Sequence, residues 1–380
     1  MKYTGILRIG FKLLVSDRAK FSALLVGLTF SVFLMMQMTA MFAGILTRAY
    51  STVTNIGAPM WVIDPAVNTP TAVIALPDYL LDAVRSLDQV DYAVPLFVGN
   101  AQARLADGTY QIVSVVGLDD TSLYGRPDLE QGAIEALYAE NGFVIVHDAE
   151  YAKLGSPGIG TDFELNDHRG TVVGIAKVLT GGLIGVPTLY TTYRRAIEYV
   201  PTARFKISYI LVKPRDEKAV ARIQESVARL GYVALTRAQF NQRIADFYIY
   251  QTGVGTNILL MTTISFLVGL SISGQIFYSF ILENLDKFAA LKAIGANPRD
   301  LLLMILYMAL STALTGYGLG VGLVTVVIAL GRTYLPNYAA IITFWNLGLA
   351  FGLVLLIAGV SSYLGIGKVL RVEPFEIFRS

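Results

Sequence analysis

The stretch FSALLVGLTFSVFLMMQMTAMFAGIL, residues 21–46, decides the fold because it runs 26 positions without an Asp, Glu, Lys or Arg. As a helix it would be about 39 Å long, which exceeds the roughly 30 Å hydrocarbon core of a bilayer. A secretory signal has an apolar stretch of about 7 to 15 residues before a small-residue cleavage site, and this segment does not fit that description. We therefore expect an uncleaved membrane-spanning helix.

Three further charge-free runs follow at residues 255–282, 301–331 and 345–367. The composition agrees, with 54% hydrophobic and 15% charged residues, where a soluble domain has about 25% charged. The absence of cysteine excludes disulfides and Cys-based metal sites. A net charge of +2 argues against a nucleic-acid partner. The sequence predicts an α-helical membrane protein with four transmembrane helices.

The orientation follows from the basic residues next to the spans, which are retained on the cytoplasmic side. The first 20 residues carry five Lys or Arg and a single acid, Asp17. Segments 283–300 and 368–380 carry six more basic residues, whereas the loop 332–344 carries only Arg332. We expect a multi-pass protein of the cell (inner) membrane with both termini cytoplasmic, 332–344 as an external loop and 368–380 as a cytoplasmic tail.

The segment between the first two spans, residues 47–254, carries 18 basic and 22 acidic residues. Runs with strand and helix patterns alternate along it, so we predict a large mixed α+β extracytoplasmic domain. A strand at 207–212, a helix at 215–230 and a strand after Gly231 would form a βαβ unit beside a strand at 92–98. The Gly-rich middle, about 100–200, could be a second subdomain inserted into the first.

Residues 1–20 are predicted to form a cytoplasmic amphipathic helix at the membrane surface. Arg8 and Lys12 lie four positions apart, and Phe11, Leu14 and Val15 are available to contact lipid.

The linker ENLDKFAALKAIGANPRD, residues 283–300, is longer than a simple connection needs. Phe288 and Leu291 lie at helical spacing before Gly295, which is expected to end a short helix. Asn297 and the following Pro and acid are typical of a new helix start. The apolar side of the short helix needs a surface, which could be a partner, the membrane surface or the ends of its own spans.

Small residues on the spans indicate close helix packing. Gly316 with Gly320, and Gly318 with Gly322, form overlapping small-xxx-small pairs on the third span. On the second span, one face is formed by residues with i, i+4 spacing, which are Ser265, Gly269 and Ser273. For this face we favour a dimer interface over packing within the chain. No span contains Asp, Glu, Lys, Arg or His, so a proton or ion relay has no carriers.

The run ENLDKFAALKAIGANPRDLLLMI, residues 283–305, resembles the FtsX-like permease signature of MacB-type ABC transporters. The segment KVLRVEPFEIFR, residues 368–379, is similar to the C-terminal sequence of those permeases. The layout of one span, a large external domain and three spans also agrees with that family. Within this family the chain looks most like the stand-alone, DevC-like permeases, which lack a fused ATPase.

The resemblance implies a non-catalytic subunit that forms a homodimer, binds a cytoplasmic ABC ATPase dimer and relays its movement to the external domain. It also implies that this domain has a porter-like part with an inserted small β-rich subdomain at about 100–200. ATP and Mg would be bound by that partner, because this chain lacks the GxxxxGK[ST] phosphate-binding motif and has no cofactor of its own. A periplasmic adaptor and an outer-membrane channel are further candidate partners, and lipid surrounds the spans. The residues expected to couple to the ATPase are Glu283, Lys287, Phe288, Leu291, Lys292, Ile294, Gly295, Asn297 and Arg299.

Two other functions remain open. An FtsX-like regulator would use the same layout to control a cell-wall hydrolase, although the size of the external domain favours transport. An external-domain enzyme would need His147 or His168 with neighbouring acids, but no hydrolase or zinc motif is present. We predict no catalytic and no metal-ligating residues, and the acids considered with the two histidines are Asp148, Glu164 and Asp167.

Overall fold

The computed structural model describes residues 2–105, 107–179, 185–200, 207–335 and 338–371. It divides into two compact units. We call residues 1–44 with 254–380 the spanning unit and residues 45–253 the α/β domain. The end of the predicted tail, from residue 372 onward, lies outside the described residues.

The described residues form helices and strands as follows. The helices are α1 (Lys2–Ser16), α2 (Arg18–Ile56), α3 (Asp78–Arg85), α4 (Tyr193–Tyr199), α5 (Ala219–Arg229), α6 (Arg237–Asp246), α7 (Val254–Glu283), α8 (Leu285–Ala293), α9 (Pro298–Tyr334) and α10 (Phe344–Arg371). The strands are β1 (Met60–Ile63), β2 (Val90–Arg104), β3 (Tyr110–Leu118), β4 (Leu129–Gly132), β5 (Gly142–Val146), β6 (Asp162–Leu165), β7 (His168–Ala176), β8 (Thr188–Thr192), β9 (Tyr209–Pro214) and β10 (Val233–Thr236). Short 3₁₀ helices lie at Ile134–Tyr138 and Tyr151–Leu154, and a π-helical turn lies at Phe247–Gln251.

Four helices, α2, α7, α9 and α10, are long and apolar enough to cross a membrane. They confirm the fold class of four spans with a mixed α/β domain between the first and the second. Helix α2 continues beyond the predicted span of 21–46 on both sides, because a helix need not end where the hydrocarbon ends. Helix α9 likewise begins at Pro298, before the predicted start of the span at residue 301.

The N-terminal helix α1 packs on α9. One of its apolar residues that was expected to contact lipid is therefore buried within the chain. Leu14 is buried in the apolar cluster of the spanning unit and is not available to lipid. Gly10 lies so close to α9 that a Cβ atom there would be 2.6 Å from the Met304 side chain. Phe11 and Val15 are exposed, as a lipid-facing role requires.

Four strands of the α/β domain form an antiparallel sheet in the order β10-β1-β9-β2. Helix α3 connects β1 to β2, and α5 connects β9 to β10, so two split βαβ units interlock in a ferredoxin-like arrangement. The pairing of β2 with β9 agrees with the predicted neighbour, and the register places Tyr92 opposite Lys213. Strand β10 pairs with β1, which the sequence reasoning missed.

Both faces of this sheet are covered. Leu80, Val84 and Ile223 on α3 and α5 bury one face. On the other face the rings of Trp61 and Phe240 lie 5.6 Å apart. A strand that is buried on both faces has no alternating pattern, which explains why the short run β1 did not stand out in the sequence.

Strand β2 also belongs to a closed ring, because β2 pairs with β3, then β8, β5, β7 and β6 follow, and β6 pairs with β2 again. Strand β4 lies outside the ring and pairs with β7. The ring is inserted between β2 and β9, where the sequence predicts an insertion at about 100–200. The long strand β2 belongs to both sheets, since it pairs with β9 as far as Leu96 and with β3 from Phe97 onward.

Candidate functional site

The linker between α7 and α9 is a short helix whose apolar side is used by its own spans. Phe288 is only 1% exposed and belongs to the same apolar cluster as Phe280 and Met304. Leu291 is half-buried against that cluster. The prediction that Phe288 is an anchor for a partner is therefore corrected, because its burial is already provided within the chain.

The end of the linker presents a different surface. Ile294 is 85% exposed, and Gly295 follows with a φ of +100°, a conformation that glycine adopts without strain. The Asn297 backbone N–H donates to Asp300 Oδ2 at 3.1 Å and starts α9. Ile294, Gly295, Asn297 and Arg299 are all exposed, so a partner can reach this turn, which also carries the most exposed large apolar side chain of the linker.

The charged linker residues make local contacts. Glu283 forms an ion pair with Lys20 at the start of α2 and accepts from Ser279 Oγ at 3.1 Å. Lys287 Nζ donates to Asn284 Oδ1 at 2.8 Å. Asn284 is itself buried and donates to the Phe280 carbonyl at 2.8 Å. Lys292 is half-buried. These contacts stabilise the junction between α7 and α8, and Asn284 is a residue that sequence reasoning missed.

The predicted dimer row on α7 faces the inside of the chain. Ser265 and Ser273 are buried, and the Ser31 hydroxyl on α2 donates to the Ser265 carbonyl at 2.7 Å. A Cβ atom on Gly269 would lie 2.2 Å from Ser31 Oγ and 3.2 Å from the Ile357 side chain on α10. Ser265, Gly269 and Ser273 therefore pack α7 against α2 and α10, which corrects their assignment to a dimer interface.

The glycines of α9 divide into two faces. A Cβ atom on Gly316 would lie 2.8 Å from Leu28 Cβ, and one on Gly320 would lie 2.6 Å from Val32 Cβ, so these two let α9 approach α2. At Gly318 and Gly322 a Cβ atom would meet no atom of the described residues within 4 Å. The first pair packs inside the chain and the second faces outward.

The α/β domain contains a cavity of about 390 Å³ at one end of the strand ring. Buried Ala103, Ile145 and Leu189 contribute to its lining, with Phe163 beside them. Asp162 at its edge is paired with Arg169, which holds the pKa of this carboxyl below its usual range, together with the Thr171 hydroxyl. The cavity has the size and apolar lining that small ligand sites have.

The two histidines contact different residues. His147 Nδ1 lies 2.8 Å from Glu130 Oε2, and this contact lowers the pKa of Glu130. The His168 ring stacks on Tyr199 with centroids 4.7 Å apart. Among the described residues there is no group of His, Asp and Glu side chains that could hold a metal ion.

These features define a multi-pass membrane protein with one span before a large α/β domain and three spans after it. Comparison with known families makes the class more specific. The MacB-like periplasmic core domain matches residues 22–230, and the FtsX-like permease C-terminal domain matches residues 259–374. The chain therefore belongs to the FtsX/MacB-type ABC transporter permeases. The DevC-like subtype stays a prediction.

Solved structures with similarity to this chain include two external domains. The extracellular domain of the ABC-type transporter YknZ from Gram-positive bacteria is 14% identical, with a TM-score of 0.36, over 47% of this chain and 100% of that chain. The periplasmic region of MacB from Actinobacillus actinomycetemcomitans is 14% identical, with a TM-score of 0.38, over 51% of this chain and 96% of that chain. No match is found among curated proteins.

Proposed function

We propose that this chain is the membrane-spanning subunit of an ABC export system, working as a pair of identical copies with a separate cytoplasmic ATPase. Its task is to relay ATP-driven movement to the α/β domain outside the cytoplasm. The observation that carries the proposal is the linker helix α8. Phe288 holds it in the apolar cluster of the spans, while Ile294 at its far end is exposed.

This arrangement suits a mechanical connection. Since packed interiors are dense and transmit strain, a push on the exposed turn around Ile294 would reach α7 and α9 through Phe288. The basic residues of the linker and of α1 favour a cytoplasmic location for this side, where ATP is available. The spans carry no charged side chain, which favours relayed movement over an ion-driven cycle.

The docking surface is accordingly the exposed turn and not the whole linker. Ile294 would supply the buried apolar contact, and the exposed Asn297 and Arg299 follow it in the chain. Glu283 lies further back and is engaged by Lys20. Transport and control of a hydrolase both need this coupling step, and the experiment below addresses the step they share.

The test is co-purification of the ATPase with the tagged full-length chain. Ile294→Asp should reduce the bound ATPase about ten- to hundredfold, because burying such a side chain is worth about 1.5 to 3 kcal/mol. Ile159→Asp is the matched control, since Ile159 is an exposed apolar residue of the α/β domain. Undiminished ATPase binding by Ile294→Asp would contradict the docking surface.

A further inference from the structure

The cavity of about 390 Å³ lies inside the strand ring, where a packed core is expected. Part of the interior is filled by aromatic rings, since the rings of Phe143 and Phe163 lie 5.6 Å apart. Next to Phe163 the strands leave space, and their side chains there are apolar and 1% exposed: they are Ala103, Ile145 and Leu189. Protein interiors contain few voids larger than a water molecule, so a space of this size is typical of a ligand site.

The entrance to this cavity is formed by exposed residues of two loops. Asp107 belongs to the turn after β2, and the other loop is segment 155–158. The Tyr151 hydroxyl donates to the Pro157 carbonyl and so holds the second loop in place. Ser156 has a φ of +53°, a conformation that a residue other than glycine keeps only where its surroundings fix it. The entrance is therefore pre-formed, as the sites of small ligands usually are.

The charge at the entrance is negative. Asp107 and Asp162 are the ionisable residues of the described lining. Arg169 forms an ion pair with Asp162 and offsets its charge. Asp107 forms no ion pair with any residue that the structure describes. The uncompensated charge of the described lining is therefore that of Asp107.

The Asp107 carboxylate is fixed in its orientation. The Thr109 hydroxyl donates to Asp107 Oδ1 at 2.7 Å, and the Thr109 backbone N–H donates to the same atom at 2.9 Å. These hydrogen bonds hold the pKa of Asp107 below its usual range, so the group stays ionised. Both bonds use Oδ1, and Oδ2 is left to accept from a ligand.

We propose that this cavity binds a small apolar molecule that carries one amino group. The apolar part would contact Ile145 and Leu189, and the ammonium group would donate to Asp107 Oδ2. Burial of the apolar part supplies the main driving force, and the charge-assisted hydrogen bond fixes the orientation. The site goes beyond the proposed function and does not depend on it, because all of its residues belong to the α/β domain.

Two other kinds of ligand fit the cavity less well. An apolar molecule with a carboxylate or phosphate group would need a cationic partner, and no Lys, Arg or His is present in the described lining. Its negative charge would also be repelled by Asp107. A neutral apolar molecule would gain the same apolar burial but no charged hydrogen bond.

Isothermal titration calorimetry of the full-length chain in phosphatidylcholine nanodiscs tests the ligand class, with the heat from protein-free nanodiscs subtracted. The probes share one ring system and differ in charge: naphthylmethylamine, naphthylmethanol and naphthylacetate. The amine should bind about threefold more tightly than the alcohol, as an exposed ion pair allows. The acetate should bind about tenfold more weakly than the amine because Asp107 repels it. An amine that shows no saturable binding, or that binds no more tightly than the alcohol or the acetate, would overturn the proposal.

Variants of the chain test the position of the site. Ala103→Phe should fill the cavity and lower the affinity for both the amine and the alcohol about tenfold, since the added ring occupies the apolar space. A folded Ala103→Phe variant with native affinity for the amine would show that the probe binds elsewhere. Thermal unfolding monitors whether this variant folds, and the charge variants described next test the site without a change in packing.

Asp107→Asn should lower the affinity for the amine about threefold and leave the affinity for the alcohol unchanged, because only the charge is removed. Asp167→Asn is the matched control, since Asp167 is an exposed acid outside the described lining. Equal losses of amine affinity in the two variants, or equal losses of amine and alcohol affinity in Asp107→Asn, would contradict the pairing with Asp107. None of these measurements involves the ATPase, so they are independent of docking at Ile294.

Discussion

The inner and outer sides of the spanning unit are built from the same kinds of residue, but inner residues pack against other helices and outer residues are exposed. Gly320 and Gly322 are two positions apart on α9, yet only the first touches another helix. Phe288 and Ile294 belong to one linker, yet the first is 1% exposed and the second 85%. Residue type therefore does not decide the role of a position in this bundle. The role depends on the side of the helix on which the residue lies.

The largest effect is expected where charge is placed on the inner side. Phe288→Asp should prevent stable folding, because losing a buried Phe costs about 3 to 5 kcal/mol and an unpaired buried carboxylate adds to that. Ile294→Asp should leave the free energy of unfolding within about 0.5 kcal/mol of the native value. Thermal unfolding in detergent, followed by circular dichroism, measures both. Equal stability of the two variants would show that the linker does not pack on the spans.

A smaller effect is expected from the two glycines. Gly320→Val should destabilise the spanning unit by about 1 to 3 kcal/mol, since its Cβ would lie 2.6 Å from Val32 Cβ and 3.0 Å from the Thr29 carbonyl. Gly322→Val should be tolerated because, in the part of the chain that the structure describes, no atom lies within 4 Å of a Cβ built at this position. The same unfolding measurement applies, and a Gly322→Val variant that is the less stable of the two would contradict the assignment of faces.

The fold class could be predicted from the sequence because each of its signals is local. Long charge-free runs identify spans without knowledge of their neighbours, and the strand and helix around 207–230 show their own patterns. Strand β1 was missed, since burial on both faces removes the alternation that indicates a strand. The strand pairing that closes the ring depends on residues far apart in sequence, such as Ala103 opposite Leu165.

The candidate site was predicted in part for a related reason. Gly295 and Asn297 mark the ends of helices and act locally, so they were found. Which partner a helix face contacts is not local, and Ser265 and Gly269 were assigned to a second copy although Ser31 contacts both of them.

The smallest effect should come from the hydrogen bond that joins α2 to α7. The Ser31 hydroxyl is buried and donates to the Ser265 carbonyl at 2.7 Å. Hydrogen bonds between membrane helices contribute about 0.6 kcal/mol on average, and at most about 1.7, so Ser31→Ala should lower the unfolding free energy by an amount in that range. Ser311→Ala is the control, because the Ser311 hydroxyl donates to the Tyr307 carbonyl of its own helix at 2.7 Å. The carbonyl of Ser265 keeps its helical hydrogen bond after the change, so Ser31→Ala leaves no acceptor wholly unpaired and the loss stays small. A loss as large as that of Gly320→Val would mean that polar contacts, and not the close approach at glycine, hold the inner side together.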